Sequence, residues 1–213
     1  MCQEDKVYVN AKSTSRADDA VGVPNFNHTR PQSPDKETEE EKKWFVAIVN
    51  NRSEKKTASS IRRMGYESFV PIQNEKHTWG NGTVRRIDRI LVPAMVFIHC
   101  TEPERKKVVN YPFVKRFMVD HTRKKNDGRH PVAVIPDHQM QTFRQVLEKA
   151  HEPVTIEPMP LNVGDKVKVM NGHLEGIEGK VLQLSNGSTF LIIEIELLGC
   201  AKLKIDGKQL MPL

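Results

Sequence analysis

Leu91-Val92-Pro93-Ala94-Met95-Val96-Phe97-Ile98 runs for eight residues without a charge. A segment this short, this apolar and this rich in β-branched and aromatic side chains reads as a strand at the centre of a sheet. Pro93 stands near its start, where a missing N–H is tolerated. Working outward, Trp79-Gly80-Asn81-Gly82-Thr83 supplies the turn chemistry of a hairpin. Its return arm carries Arg85, Arg86 and Arg89. Upstream lie a strand over Glu67–Ile72 and a second apolar run, Trp44-Phe45-Val46-Ala47-Ile48-Val49. Between them the spacing of Ala58, Ile61 and Met64 predicts a helix over Arg52–Met64, opened by Ser53 as N-cap and closed by Gly65. Downstream, Glu102–Asn110 reads as a helix and Phe113–Val119 as extended chain. Pro136–Ala150 is an amphipathic helix with Met140, Phe143, Val146 and Leu147 on one stripe. The order β-α-β-β-β-α-β-α makes an α+β sandwich with an antiparallel sheet.

The C-terminal end has a different texture. Val163–Val169 is a turn followed by strict apolar/polar alternation, and glycines stand at 172, 176, 179 and 187. Asn186-Gly187 is a strong hairpin signal. Strands this short with turns this frequent predict a small β-barrel over 161–213. Residues 151–160 hold three prolines, which deny both helix and central strand, so a semi-rigid linker is expected. Residues 1–43 are polar, with Glu39-Glu40-Glu41 near their end, and cannot bury enough apolar surface to offset ordering; a disordered tail is expected. The folded domains are then 44–150 and 161–213.

The 213 residues carry a net charge of +6. That charge is unevenly placed: −2 over 1–43, +8 over 44–160 and zero over 161–213. The positive excess therefore lies wholly in the middle domain and points to an anionic partner there. Cys2, Cys100 and Cys200 are far apart and outside any C-x-x-C pair, so neither a disulfide framework nor a structural zinc site is expected. The eight histidines form no H-x-x-x-H pair. No phosphate loop and no nucleophile elbow occurs. No enzyme activity, cofactor or metal is expected. No stretch reaches the ~18–20 apolar residues of a membrane span, and MCQEDKVYVN lacks a signal-peptide core, so the expected compartment is the cytoplasm.

The tryptophan-started strand, basic helix, hairpin and proline-containing apolar strand together resemble the N-terminal domain of the NusG family of transcription elongation factors. Val163–Val181 resembles the KOW motif of that family's C-terminal barrel, with Gly164, Asp165, Val167, Gly172, Gly176, Gly179 and Val181 in the motif positions. The resemblance spans 44–213 in the family's domain order. Two departures stand out. Where the family has Phe-Pro-Gly-Tyr this chain has Val92-Pro93-Ala94-Met95, and where a proline follows the first glycine of the KOW hairpin it has His173. With the polar tail, these make the chain similar to specialised paralogues, most of all the UpxY group of antiterminators at capsular polysaccharide loci of gut Bacteroides.

The resemblance implies an operon-specific antitermination factor. Its apolar patch for the clamp helices of RNA polymerase would be drawn from Trp44, Val92, Pro93, Met95, Phe97, Phe113 and Phe117. Alternation along a strand means about half of these face a core. Contacts to non-template DNA or nascent transcript would come from Lys55, Lys56, Arg62 and Arg63, from Arg105, Lys106 and Lys107, and from Arg85 and Arg86 on the hairpin. The KOW domain would meet the ribosome or a termination factor. A monomer without membrane contact is expected. Two other readings stay open: the housekeeping elongation factor, and a KOW-type RNA- or ribosome-binding protein. Against the second stands the neutral charge of 161–213, since RNA binding ordinarily uses a basic face.

Overall fold

The computed structural model describes residues 41–80 and 82–213. The tail expected over 1–43 lies outside the described residues, its last three excepted. The sheet of the first domain is built round β5 (Met95–Cys100), which runs between β1 (Lys43–Val49) and β2 (Glu67–Phe69). β6 (Val114–Phe117) and β7 (Val134–Ile135) both pair with β1, and every ladder is antiparallel. Trp44 stands opposite His99, Val46 opposite Phe97 and Ile48 opposite Met95. Successive side chains alternate between faces. Trp44, Val46 and Phe97 thus join Met140, Phe143 and Val146 of α3 (Asp137–Lys149). Phe45, Ala47, Val49, Val96 and Ile98 lie on the other face, with Ala58 and Ile61 of α1 (Glu54–Arg63) and Val108 of α2 (Glu102–Val108). Both faces are covered, which is why β1 and β5 are apolar almost throughout.

The structure departs from the sequence reading at prolines. The strand expected over 91–98 begins only at Met95; Leu91–Ala94 form a bend and turn, with Ala94 at φ 58°. Pro93 fixes φ and brings no N–H to a ladder. Ala94 is held from both sides: Val49 N donates to its carbonyl (2.9 Å), and its own N–H donates to Glu54 Oε1 (2.6 Å). The strand expected over 67–72 is interrupted at Val70-Pro71, which leaves β2 on one side and β3 (Ile72–Thr78) on the other. β3 then pairs with β4 (Val84–Ile90) as a separate two-stranded hairpin. Ser53 does not cap α1 with its side chain; its hydroxyl donates to Asn50 O instead (2.6 Å). Gly65 takes the expected left-handed conformation, φ 88°.

The second domain is a six-stranded antiparallel sheet in the order β13-β9-β10-β11-β12-β8. Its strands are β8 (Val154–Glu157), β9 (Lys166–Val169), β10 (Glu178–Gln183), β11 (Thr189–Ile195), β12 (Gly199–Lys204) and β13 (Leu210–Pro212). Among the described residues no ladder joins β13 to β8, so the six strands form one sheet with two edges. Part of the expected linker belongs to this sheet: Val154–Glu157 pairs with β12 as an edge strand, the position that nearby prolines still permit. Phe190–Ile195, rich in β-branched residues, lies within β11. Gly179 is required by a close approach, since a Cβ there would lie 2.7 Å from Ile192 O.

The two domains fall within one compact unit. β11 packs on α3, and Val154, Val167 and Leu191 share an apolar cluster with Met140 and Phe143. Polar contacts fix the junction. Gln73 Nε2 donates to Glu152 O (2.7 Å), and Gln73 Oε1 accepts from Val154 N (2.8 Å). Glu196 N donates to Gln139 Oε1 (2.7 Å), and Arg123 pairs with Glu196 (3.1 Å).

Candidate functional site

The seven apolar residues expected to form one patch do not come together. Trp44, Met95 and Phe97 lie on the α3 face of the sheet, whereas Phe113 and Phe117 pack in the cluster under α1 and α2. Trp44, Val92, Phe97 and Phe117 are buried, Met95 and Phe113 half-buried, and Pro93 exposed. The parts that reach solvent are therefore the Pro93–Met95 turn and, on the other face of the sheet, Phe113. Glu54, which carries no signal of function in the sequence, positions that turn. Its side chain is 1% exposed, one oxygen accepts from Ala94 N, and the other has no hydrogen-bond partner among the described residues. The one pointer available in the sequence is an acid in the first turn of a helix, where the macrodipole favours it.

Trp44 has a defined setting of its own. Its ring stacks on His99 at 4.8 Å, and the Arg144 guanidinium lies 5.7 Å from the indole. Arg144 pairs with Glu67 (2.7 Å), and Glu67 also meets His99 Nδ1 (3.1 Å). The tryptophan that marks the first strand is thus a packing residue held by a charged rim.

The cations lie mainly on the opposite side. α1 carries Lys55, Lys56, Arg62 and Arg63, and α2 carries Arg105, Lys106 and Lys107, all exposed except Arg105. Three of the seven are already engaged. Lys55 donates to Asp88 Oδ2 of the hairpin (2.6 Å), and that ammonium holds the Asp88 carboxyl below the usual carboxylate range. Arg62 donates to Ser68 O (3.2 Å). Arg105 binds Glu102 through two nitrogens (2.6 and 2.8 Å) and lies over the Phe117 ring at 5.3 Å. The pairing lowers the Glu102 pKa and raises that of Arg105. A guanidinium so bound contributes to packing more than to a phosphate contact. Lys56, Arg63, Lys106 and Lys107 have no ion pair among the described residues.

On the hairpin, Arg85 and Arg86 are both exposed but point to opposite faces, because they are neighbours on β4. Arg86 stands opposite Lys76 and Arg85 opposite His77. Trp79, at the turn, is 53% exposed and meets His77 edge-on at 5.2 Å. Lys76, His77 and Trp79 are not candidates by sequence alone; only the strand register places them beside the two arginines.

The positions expected to form a KOW motif lie in the second sheet and its turns. Gly172 and Gly176 adopt φ 86° and 84°, and Val167 is 3% exposed. Gly164 N donates to Val181 O (2.8 Å), and Asp165 O accepts from Val181 N (3.1 Å). Cys100 and Cys200 are buried; burial pushes the Cys100 thiol up to about 12 and raises that of Cys200. Among the described residues no group of three or more His, Cys, Asp and Glu could hold a metal ion, and no helix is long and apolar enough to cross a membrane.

These features define a class first: an α/β sandwich with cationic outer helices and a basic hairpin. Residues 42–144 match the family model described as transcription termination factor nusG, so this segment is a NusG-family domain. Among solved structures the chain is similar to Thermotoga maritima NusG, in a study of its domain interaction. The identity is 17%, the match covers 81% of this chain and 98% of that one, and the TM-score is 0.44. It is also similar to a chain of the MjSpt4:Spt5 complex in conformation A, at 12% identity, 80% and 97% coverage and a TM-score of 0.25. No curated protein matches the chain.

Proposed function

We propose that the chain is an operon-specific transcription antitermination factor. It docks on the clamp helices of RNA polymerase through the 44–150 domain and contacts non-template DNA to suppress pausing and termination. Polysaccharide synthesis genes are the targets to which the UpxY resemblance points. The observation that carries this reading is the NusG-family domain at 42–144, followed by a small β domain. The exposed Pro93 and half-buried Met95 support an apolar contact of limited area, and the methionine thioether suits an adaptable groove. Lys56, Arg63, Lys106 and Lys107 support phosphate contact from the opposite side of the sheet. Such a factor works by holding two partners together and performs no chemistry.

The test is transcription in vitro across promoter-proximal terminators taken from polysaccharide operons and from unrelated genes. Read-through raised on the polysaccharide templates alone is the expected result. An equal rise on all templates would indicate the housekeeping factor, and no rise on any would refute the proposal.

A further inference from the structure

Two unfavourable features meet at the exposed turn of the first domain. Ala94 sits at φ 58°, a left-handed backbone that strains an L-residue with a Cβ. Against it lies the Glu54 carboxylate, on a residue 1% exposed. Oε1 accepts from Ala94 N (2.6 Å), and Oε2 has no hydrogen-bond partner among the described residues. A carboxylate can accept about four hydrogen bonds, so this one is buried with most of its capacity unused. Burial on those terms destabilises a fold.

Packing explains neither feature. α1 gains from an acid in its first turn whether or not that acid is buried, and glycine would take the Ala94 conformation without strain. Strain and unsatisfied buried groups that persist together point to a conformation held for function. What the conformation sets here is the direction of Pro93. The Pro93 ring fixes its own φ, and a residue before proline is confined to extended backbone, which restricts Val92. Ala94 is therefore the residue at which the turn can change course before β5 begins at Met95. Val49 N donates to the Ala94 carbonyl (2.9 Å), so both sides of Ala94 are gripped, one by the end of β1 and the other by the start of α1. Pro93 is exposed and Met95 half-buried, so a change at Ala94 alters the spacing of the apolar pair that the turn presents.

We propose that Glu54 is a positioning residue for partner docking: its buried carboxylate holds Ala94 left-handed and so sets Pro93 and Met95 for the apolar surface of RNA polymerase. Glu54 touches no partner itself. The identity of the partner rests on the function proposed above. Without the carboxylate, Ala94 returns to right-handed or extended backbone. The left-handed penalty of an L-residue amounts to about tenfold in population, and affinity falls by the fraction that is no longer competent.

The experiment measures three quantities on the full chain: affinity for core RNA polymerase by fluorescence anisotropy, exchange of the Ala94 amide by NMR, and thermal unfolding. Glu54→Met keeps the length and volume of the side chain and removes the acceptor and the charge. It should bind about tenfold more weakly. Its Ala94 amide should exchange faster, yet it should melt no lower than the parent, because a buried carboxylate leaves together with the hydrogen bond. Glu54→Gln retains a carbonyl acceptor for Ala94 N and should bind as the parent does. Ala94→Gly added to Glu54→Met should recover most of the lost affinity, since glycine takes the left-handed conformation unaided. Three results would each overturn the proposal: parent-strength binding by Glu54→Met, unchanged Ala94 exchange, or a loss of affinity that tracks a lower Tm and that glycine does not recover. A parent that does not bind polymerase would overturn the function proposed above instead. Ala94 exchange and melting of Glu54→Met would then still decide whether Glu54 holds the turn.

Discussion

Gln73→Met is expected to loosen the junction between the two domains. Gln73 is 5% exposed and spans from β3 to the segment entering β8, using both ends of its amide. Methionine keeps the length and the apolar stem and removes the donor and the acceptor. The Glu152 carbonyl, only partly buried, loses one neutral hydrogen bond, about 1 kcal/mol. The Val154 N–H is worse placed, because its residue is 0% exposed and water cannot readily replace the lost acceptor; an unsatisfied buried donor costs about 1–3 kcal/mol. Together these give about 2–4 kcal/mol. For a folded unit of this size each kcal/mol shifts Tm by about 2–4 °C, so the variant should melt roughly 4–16 °C lower. Circular dichroism gives the melting curve, and hydrogen exchange followed by NMR reads the Val154 amide directly. Faster exchange at Val154, with α1 and β4 unaffected, is the expected local signature. An unchanged melting temperature together with an unchanged Val154 exchange rate would show that the Gln73 amide does not hold the junction.

Other outcomes follow from single residues. Ala94→Gly should raise stability by about 1 kcal/mol in urea unfolding, because Ala94 sits at φ 58°, where a Cβ is strained and glycine is not. Gly179→Ala should destabilise the second domain by about 2 kcal/mol or more, since its Cβ would meet backbone at Ile192 O, 2.7 Å away; a melting curve identical to the parent would contradict this. In a Cys2→Ser background, Cys100 and Cys200 should react slowly with a thiol reagent at pH 8 until denaturant is added. The Cys100 thiol also sets a pH dependence, read by urea unfolding at a series of pH values. Its folded pKa lies at about 12, above an unfolded value of about 8.5, so its contribution to stability is intact below that lower value and falls as pH rises past it.

Much of the first domain was legible because its signals are local and strong. The uncharged runs at Trp44–Val49 and Val96–Ile98 suit strands covered on both faces, and Gly65 ends α1 where a left-handed residue is needed. Prolines were harder to read, because a proline forbids a central ladder position without saying what replaces it. Pro71 divided one expected strand in two, Pro93 delayed another, and the prolines around Val154–Glu157 left an edge strand intact. The apolar site residues were separable only in pairs. Alternation says that half face each way, but which half joins Phe113 and Phe117 depends on the pairing of β1 with β6, a non-local fact. Cations are equally opaque: Arg105 and Lys106 look alike in sequence, and only the Glu102 pairing and the Phe117 ring tell them apart. Gln73 and Glu54 gave no compositional signal, since their partners lie 81 and 40 residues away.

The proposed docking of the 44–150 domain on the clamp helices of RNA polymerase can be measured directly. Its most direct measurement is a titration of labelled full-length protein against core RNA polymerase, intact and lacking the clamp-helix tip, with Met95→Glu as a second arm. Saturable binding to the intact enzyme, loss of that binding without the tip, and about tenfold weaker binding by Met95→Glu are expected. Binding of equal strength to both forms of the enzyme would contradict the proposed docking.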